Sequence, residues 1–123
     1  MPDRPNVLLV TADEHRPDAM GVAGHDIVET PTLDRLAAEG TRFTDAYCPS
    51  PLCAPCRAAF ATGRHVHEVG AWDNAASYDG TPEAWGEHLA ERGVHTASVG
   101  KLDFRPGVEG FAEQLAPGYR EDP

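Results

Sequence analysis

Residues 53–63 have the sequence CAPCRAAFATG, which predicts a helix over residues 54–62 that ends at Gly63. Alanine has the highest helix propensity, a proline in the first turn gives up an N–H that has no partner there, and glycine commonly follows the last helical residue. Cys53 therefore stands at a helix N-terminus, where backbone N–H groups and the helix dipole favour an anion. Arg57 lies one turn along the same face and can reach back toward residue 53.

The sequence before this helix predicts two strands and another helix. Residues 6–12 (NVLLVTA) form an apolar run rich in valine and leucine, which is typical of a parallel strand buried on both faces. A helix is expected between Thr30 and Gly40, because a Thr-Pro-Thr start and a glycine end are common helix boundaries. Residues 41–47 alternate weakly between polar and apolar side chains, which indicates a short strand.

The sequence after residue 63 continues the alternation of helices and strands. Residues 64–80 are polar and predict a loop, and the segment 81–83 (TPE) is expected to cap a helix that ends at Gly93. Residues 94–99 predict a second buried strand, and the pattern weakens beyond it. This order predicts an α/β fold with a mainly parallel sheet.

The composition narrows the classes of function. The net charge is −10, which argues against a nucleic-acid partner or an anionic membrane surface, since both require a basic footprint. No apolar run approaches the length of a membrane span and no signal peptide is seen, so a cytoplasmic location is expected. Three cysteines do not make a disulfide framework, and in a reducing compartment they would be free thiols, metal ligands or reactive groups.

Three groups of polar residues follow the ends of predicted elements. Asp13 and Glu14 come after the first strand, Cys53 to Arg57 open the helix, and Lys101, the only lysine, comes after the later strand. Ligands of open α/β sheets bind at the carboxyl ends of strands, so we expect these groups to line one cleft. Carboxylates suit Ca²⁺ or Mg²⁺, and an ammonium can bind a sulfate or phosphate oxygen.

Each group also has a simpler interpretation. The two carboxylates could be solvated loop charges, the lysine a surface residue, and Cys53 a buried structural cysteine. The spacing Cys53-x-x-Cys56 also suits zinc, with His65 and His67 nearby. The spacing of the two histidines is tighter than zinc sites usually have, which disfavours this alternative.

Four segments of the chain, in this order, resemble the type I sulfatases of the alkaline phosphatase superfamily, over about residues 4–104. The segments are 4–13 (RPNVLLVTAD), 30–40 (TPTLDRLAAEG), 46–64 (AYCPSPLCAPCRAAFATGR) and 93–101 (GVHTASVGK). The third contains the family signature Cys-x-Pro-x-Arg with its trailing Thr-Gly-Arg. The resemblance implies part of an alkaline-phosphatase-like three-layer α/β/α sandwich.

The resemblance also implies roles for individual residues. Cys53 would be converted to formylglycine, whose hydrated gem-diol attacks the sulfur of a sulfate ester. Pro55 and Arg57 would be read by the formylglycine-generating enzyme, and Arg57 would then stabilise the ionised diol. Lys101 would hold the sulfate. These residues together imply a nucleophilic hydrolysis with cationic stabilisation of the transferring group.

The implied metal centre contains a divalent cation, most often Ca²⁺, with Mg²⁺ or Mn²⁺ as alternatives. Asp13 would ligate it together with residue 53. Glu14 stands where many members have a second Asp or a Gln, and it is a further candidate ligand. In physical terms the cation would activate the oxygen nucleophile.

Several positions depart from the common family pattern and bear on the substrate. Asp103 stands where many sulfatases have a His after Gly-Lys, and Cys56 replaces the common Ser. Gly-Lys-Leu-Asp-Phe, with Trp72-Asp73-Asn74 upstream, looks closest to the arylsulfatase K-like branch, which acts on uronate 2-sulfates. Asn74 is also similar to a substrate-binding Asn of the related phosphonate monoester hydrolases. Lys101, Asn74 and Asp103 are therefore the candidate substrate-binding residues.

Members of the family run to several hundred residues, so residues 1–123 are expected to form the N-terminal portion of a sulfatase catalytic domain. The expected function is hydrolysis of a small-molecule or saccharide sulfate ester. The alternatives are a phosphonate monoester or phosphodiester hydrolase of the same superfamily, and a catalytically inactive fragment. The third follows because further metal ligands of the family lie beyond this stretch.

Overall fold

The computed structural model describes residues 5–117, in two compact units, Met1–Ala46 and Tyr47–Pro123. Arg4, with which the family resemblance begins, and residues 118–123 of the expected domain portion lie outside the described residues. None of the helices within residues 5–117 combines the length and the apolar character that crossing a bilayer requires.

The first unit contains the helix α1, Pro31–Glu39, which the sequence predicted, and a short 3₁₀ helix, Gly21–Ala23, which it did not. The carboxylate of Asp34 connects them. Its Oδ1 accepts a hydrogen bond from the Val22 N–H at 2.7 Å and another from the Thr30 hydroxyl at 2.9 Å. The same hydroxyl oxygen accepts from the Gly21 N–H at 2.9 Å, so one acidic side chain organises the start of α1.

The two strands predicted in the first unit are wrong. Neither residues 6–12 nor residues 41–47 form a strand, and the side chains of Val7, Leu8 and Val10 are 89%, 87% and 79% exposed. A parallel strand acquires its hydrogen bonds and its burial from neighbouring strands and covering helices. The described residues of this unit include no other strand that could supply them.

The second unit begins with α2, Cys53–Thr62, which confirms the helix predicted from residues 53–63. Its N-cap is Leu52, and Pro55 lies in its first turn. Gly63 ends it with φ = 65°, in the left-handed region that favours glycine. Cys53 is therefore the first helical residue, one position before the predicted start, and it lies at the helix N-terminus as expected.

A short helix, α3 (Val66–Val69), lies within the segment predicted to be a loop. The Glu68 carboxylate accepts a hydrogen bond from the His65 N–H at 2.9 Å, which satisfies a backbone donor at the helix start. This bond lowers the pKa of Glu68. The interpretation of residues 64–80 as loop throughout is therefore wrong at this turn.

The next helix, α4, spans Trp85–Ala90 and starts later than the sequence predicted. The helix start is capped by Glu87, whose carboxylate accepts a hydrogen bond from the Ala84 N–H at 2.8 Å. The predicted cap at residues 81–83 is therefore wrong. The cap prediction missed this because an alanine at the N-cap carries no side-chain oxygen of its own.

Two parallel strands complete the unit, β1 (Ala97–Gly100) and β2 (Glu113–Pro117). Their register shifts between Ser98 and Val99. The predicted strand at 94–99 thus exists in shortened form, but it is not buried, since Val99 is 73% exposed. β2 was not predicted. The parallel pair and the helices confirm the α/β fold class as a small fragment of such a fold.

The core of the second unit is built from small side chains and a few aromatic rings. α2 buries four alanines, and Tyr78 is 1% exposed. Tyr78 contacts Phe104 edge-on at 4.9 Å between ring centroids, and its hydroxyl donates to the Pro82 carbonyl. Trp85 contacts Phe111 at 4.9 Å in the same manner. Since alanine adds little bulk, α2 lies close to its neighbours.

Candidate active site

The start of α2 places Cys53, and a distant side chain holds that start. The Ala54 N–H donates to Asn74 Oδ1 at 3.0 Å, while the Cys56 N–H donates to the Leu52 carbonyl at 3.0 Å. Asn74 therefore supplies the acceptor that a conventional N-cap side chain would supply, from twenty residues along the chain. Cys53 is half-buried at this end of the helix.

Arg57, one turn into α2, is fixed to the loop that follows β1. Its Nη1 donates to the carbonyl oxygen of Lys101, and its Nε lies 3.7 Å from Asp103 Oδ2. The Arg57 side chain is 20% exposed. This contact joins residues that are 44 positions apart, so the predicted groups around Cys53 and Lys101 do meet.

Asp103 lies between the two cations. Its Oδ2 is 3.3 Å from Lys101 Nζ as well as 3.7 Å from Arg57 Nε, and its side chain is only 13% exposed. Gly100 (φ = 95°) and Asp103 (φ = 55°) both adopt left-handed backbone, which turns the chain sharply after β1. The carboxylate of Asp103 therefore pairs with both the ammonium of Lys101 and the guanidinium of Arg57.

The neighbours of Cys53 include two more thiols. Cys48 is exposed and Cys56 is half-buried, and all three cysteines are free. Burial raises the pKa of the Cys56 thiol, and the nearby Cys48 adds to this effect. Both act against the thiolate form.

The predicted metal ligands fall in different units. Asp13 and Glu14 belong to the first unit, where Glu14 has φ = 58°, and Cys53 belongs to the second. Within residues 5–117 there is no group of three or more His, Cys, Asp or Glu side chains that could hold a metal ion. The ligand roles of Asp13, Glu14 and Cys53 therefore stay predictions. The alternative zinc ligands near Cys53 and Cys56 form no such group in the described part of the chain either, and the His65 and His67 rings stack on each other at 5.6 Å.

Sequence reasoning missed two features of this site. The anchor of Arg57 is a backbone carbonyl, which carries no side-chain signature. The role of Asn74 at the start of α2 was hidden by its distance along the chain, because N-cap patterns are recognised between near neighbours. The left-handed turn after β1 could be expected from the sequence, because position 100 is a glycine and glycine readily adopts a positive φ.

The model of the family described as Sulfatase matches residues 5–111, which contain all of these side chains. The chain belongs to the sulfatase family. The sequence resemblance is confirmed, and the chain is of the sulfatase hydrolase type by family.

Named relatives are similar along nearly the whole chain. The N-acetylglucosamine-6-O-sulfatase of Bacteroides thetaiotaomicron is 36% identical over 108 residues, covering 88% of this chain and 19% of that protein. Arylsulfatase K of Bos taurus is 32% identical over 120 residues, covering 98% and 22%. The choline-sulfatase of Rhizobium meliloti is 34% identical over 114 residues, covering 91% and 22%. The chain spans about a fifth of the length of these relatives.

Proposed function

We propose that this chain supplies the nucleophile end of a sulfate-ester hydrolase site, with residue 53 as formylglycine. The observation that carries the proposal is the joining of Arg57 to Lys101 and Asp103 beside the N-terminus of α2. One carboxylate thereby holds two cations together, and Arg57 lies one helical turn after the residue that the family signature marks for modification. The names of the relatives, all sulfatases, support the same reaction class.

Residue 53 is half-buried, and the Asn74 contact fixes the backbone of the residue that follows it. A formylglycine at position 53 would therefore be held in a defined place at the helix start. When formed, that group supplies the oxygen nucleophile for attack at sulfur. Arg57 presents a planar guanidinium that stabilises negative charge as the sulfuryl group transfers. Lys101 holds a sulfate oxygen as a compact point charge, and Asp103 orients both cations. Asn74 and Asp103 stay candidates for direct substrate contact.

A divalent cation, with Ca²⁺ first and Mg²⁺ or Mn²⁺ as alternatives, stays part of the proposal through Asp13, Glu14 and residue 53. One or two carboxylates rarely hold Ca²⁺, which takes six to eight oxygen ligands. The described residues gather no such set. No step of the mechanism is therefore assigned to a metal.

The proposed partners are a sulfate ester, either a small molecule or a saccharide, and the formylglycine-generating enzyme. Phosphonate monoester or phosphodiester hydrolysis remains the enzyme alternative. Its support is Asn74 as a substrate ligand. The side-chain oxygen of Asn74 accepts from the Ala54 N–H, which leaves its amide NH₂ as the group for a substrate contact.

The first experiment tests the modification. The chain is co-expressed with a formylglycine-generating enzyme, and the tryptic peptide 43–57 is analysed by mass spectrometry. We expect conversion at Cys53 alone, assigned by fragment ions that separate it from Cys48 and Cys56. Cys53→Ala is the blank. Arg57→Ala should prevent conversion, which is read from the tryptic peptide 43–64 because this substitution removes the cleavage site at position 57. An unchanged cysteine mass at position 53 in every preparation would remove the proposed nucleophile.

The second experiment tests the reaction. Residues 5–111 replace the matching N-terminal region of the Bacteroides thetaiotaomicron relative, and the chimera is assayed on an aryl sulfate and an aryl phosphonate. We expect preference for the sulfate and a loss of roughly 10²- to 10³-fold in kcat for Lys101→Ala. Arg92→Ala, a surface arginine that donates to the His88 carbonyl, is the matched control. Faster phosphonate turnover would establish the alternative.

A further inference from the structure

The carboxylate of Asp103 contacts the two cations of the candidate site in the way that a bound anion would. A single oxygen, Oδ2, lies 3.3 Å from the Lys101 Nζ and 3.7 Å from the Arg57 Nε. Ammonium and guanidinium groups are also the usual donors to sulfate and phosphate oxygens. An anion that binds these two cations therefore lies beside a negative charge that belongs to the chain.

This carboxylate is sheltered and fixed in place. The Asp103 side chain is 13% exposed, less than the side chains of Arg57 (20%) and Lys101 (33%). Arg57 is tied to the turn that carries Asp103, because its guanidinium donates to the Lys101 carbonyl. Water and salt screen a sheltered charge less than a surface charge, so Asp103 acts strongly on an ion bound next to it.

The proposed reaction changes the charge of the bound anion. A sulfate monoester carries one negative charge, whereas the inorganic sulfate released by hydrolysis carries two at neutral pH. The Coulomb repulsion between a fixed carboxylate and a ligand grows in proportion to the charge of the ligand. At the same distance, Asp103 therefore raises the free energy of bound sulfate about twice as much as that of the bound ester.

We propose that Asp103 is a specificity-determining residue that favours singly charged sulfate esters over doubly charged sulfate and thereby promotes release of the product. This role rests on the proposed function and adds the charge of the preferred ligand to it. A direct substrate ligand at this position would lose affinity for the ester when its carboxylate is removed. A carboxylate that only holds the two cations in place would affect the ester and sulfate equally.

Asp103→Asn in the 123-residue chain tests the proposal, because asparagine keeps the size of the side chain and tolerates the left-handed backbone at φ = 55°. NMR titrations with sodium sulfate and with methyl sulfate, at constant ionic strength, give the Kd of a doubly and a singly charged ligand. We expect the Kd of sulfate to fall at least about tenfold and that of methyl sulfate about threefold, since half the charge feels half the repulsion. Asp103→Gly, a second neutral variant that adopts a positive φ readily, should give the same order.

Asp79→Asn is the matched control, because Asp79 is also paired with an arginine, Arg105, at 3.8 Å. It should leave both dissociation constants unchanged. Equal changes for the two ligands, weaker binding after Asp103→Asn, or no binding of sulfate by the wild-type chain and both Asp103 variants would each overturn the proposal. Conversion of Cys53 and turnover by the chimera are measured separately, so a failure of the proposed function is recognised independently of these titrations.

Discussion

Residues 6–12 and helix α2 are two apolar stretches of this chain, and they have opposite environments in the structure. Residues 54, 58 and 61 of α2 are at most 1% exposed, while Val7 and Leu8 are 89% and 87% exposed. The first unit has no fully buried side chain among its described residues, whereas the second has a continuous core.

The difference lies in where each element obtains its hydrogen bonds. A helix satisfies most of its own backbone groups, so local signals such as the alanines and the Gly63 end are sufficient to predict it. A strand depends on partners that are distant in sequence. Apolar composition alone is therefore not sufficient to predict that a segment is buried, because the neighbours that bury a strand lie elsewhere in the chain.

The largest expected contrast between these regions is in hydrogen exchange. Amides of Leu8 and Leu9 should exchange at nearly the rate of an unfolded chain, while Ala61 in α2 should exchange at least about a thousandfold more slowly, since core helices open rarely. Amides of α1 serve as an internal reference for a helix without a buried side chain. Equal protection of residues 6–12 and α2, measured by mass spectrometry or NMR, would contradict the contrast.

The next effect concerns Tyr78 in the core of the second unit. Burial raises the pKa of Tyr78 to about 12, with the charges of Glu87, Asp79 and Glu83 adding to it. The folded chain then holds the phenol proton more tightly than the unfolded chain, so this stabilisation is complete below pH 10 and is lost as pH rises toward 12. The upper limit for the loss is about 3 kcal/mol.

Urea denaturation across this pH range measures the effect, with Tyr78→Phe as the control. The variant lacks the phenol and should lose the component of pH dependence that Tyr78 contributes. A wild-type curve parallel to that of Tyr78→Phe would show that the ionisation of Tyr78 is not coupled to folding.

Close packing in the second unit should make Gly86 intolerant of a methyl group. A Cβ at Gly86 would lie 2.3 Å from the Gly110 carbonyl oxygen and 2.6 Å from Phe111 Cδ1. We expect Gly86→Ala to lower the free energy of unfolding by about 2 kcal/mol, because backbone and ring must shift. Leu8→Ala, at an exposed site of the first unit, should change it by less than about 0.5 kcal/mol.

Gly63 is the control that distinguishes steric crowding of a new side chain from backbone strain. At Gly63 a Cβ would meet nothing within 4 Å, and only its left-handed backbone opposes substitution. Gly63→Ala should therefore cost about 1 kcal/mol. If Gly86→Ala is tolerated better than Gly63→Ala in chemical denaturation, the described packing around α4 is incorrect.

The smallest effects compare how the two units hold their helix starts. Asn74→Ala removes the acceptor for the Ala54 N–H and should destabilise the second unit by about 1 kcal/mol, while Asn74→Asp keeps an acceptor there. Asp34→Ala removes the contacts to Val22 and Thr30 and should weaken the first unit by a similar amount. Thermal denaturation and exchange at the Ala54 amide measure these changes. Identical behaviour of Asn74→Ala and Asn74→Asp would argue against the capping role.

The sequence carried enough information to predict both longer helices and the family. α1 and α2 have local start and stop residues, and the signature around Cys53 includes the arginine that the structure then places beside Lys101. Elements whose stability comes from tertiary contacts were missed or misplaced. β2 exists because β1 supplies its hydrogen bonds, and α4 begins at an alanine whose N–H is capped by Glu87.

The sequence predicted which residues belong to the candidate site, but it did not predict all of their contacts. The helix spacing predicted that Arg57 faces back toward residue 53, but no pattern predicted that a backbone carbonyl would hold it. Asp103 was expected to contact substrate, and its described contacts are with two cations, so its role toward substrate stays a prediction. The ligand roles of Asp13 and Glu14 likewise stay predictions.

The bond from Arg57 to the Lys101 carbonyl has a consequence for protein engineering. Because the acceptor belongs to the main chain, exchanging the side chain at position 101 leaves that bond available to the guanidinium. A library of substitutions at this one codon therefore varies the side chain beside Asp103 while Arg57 keeps its main-chain anchor.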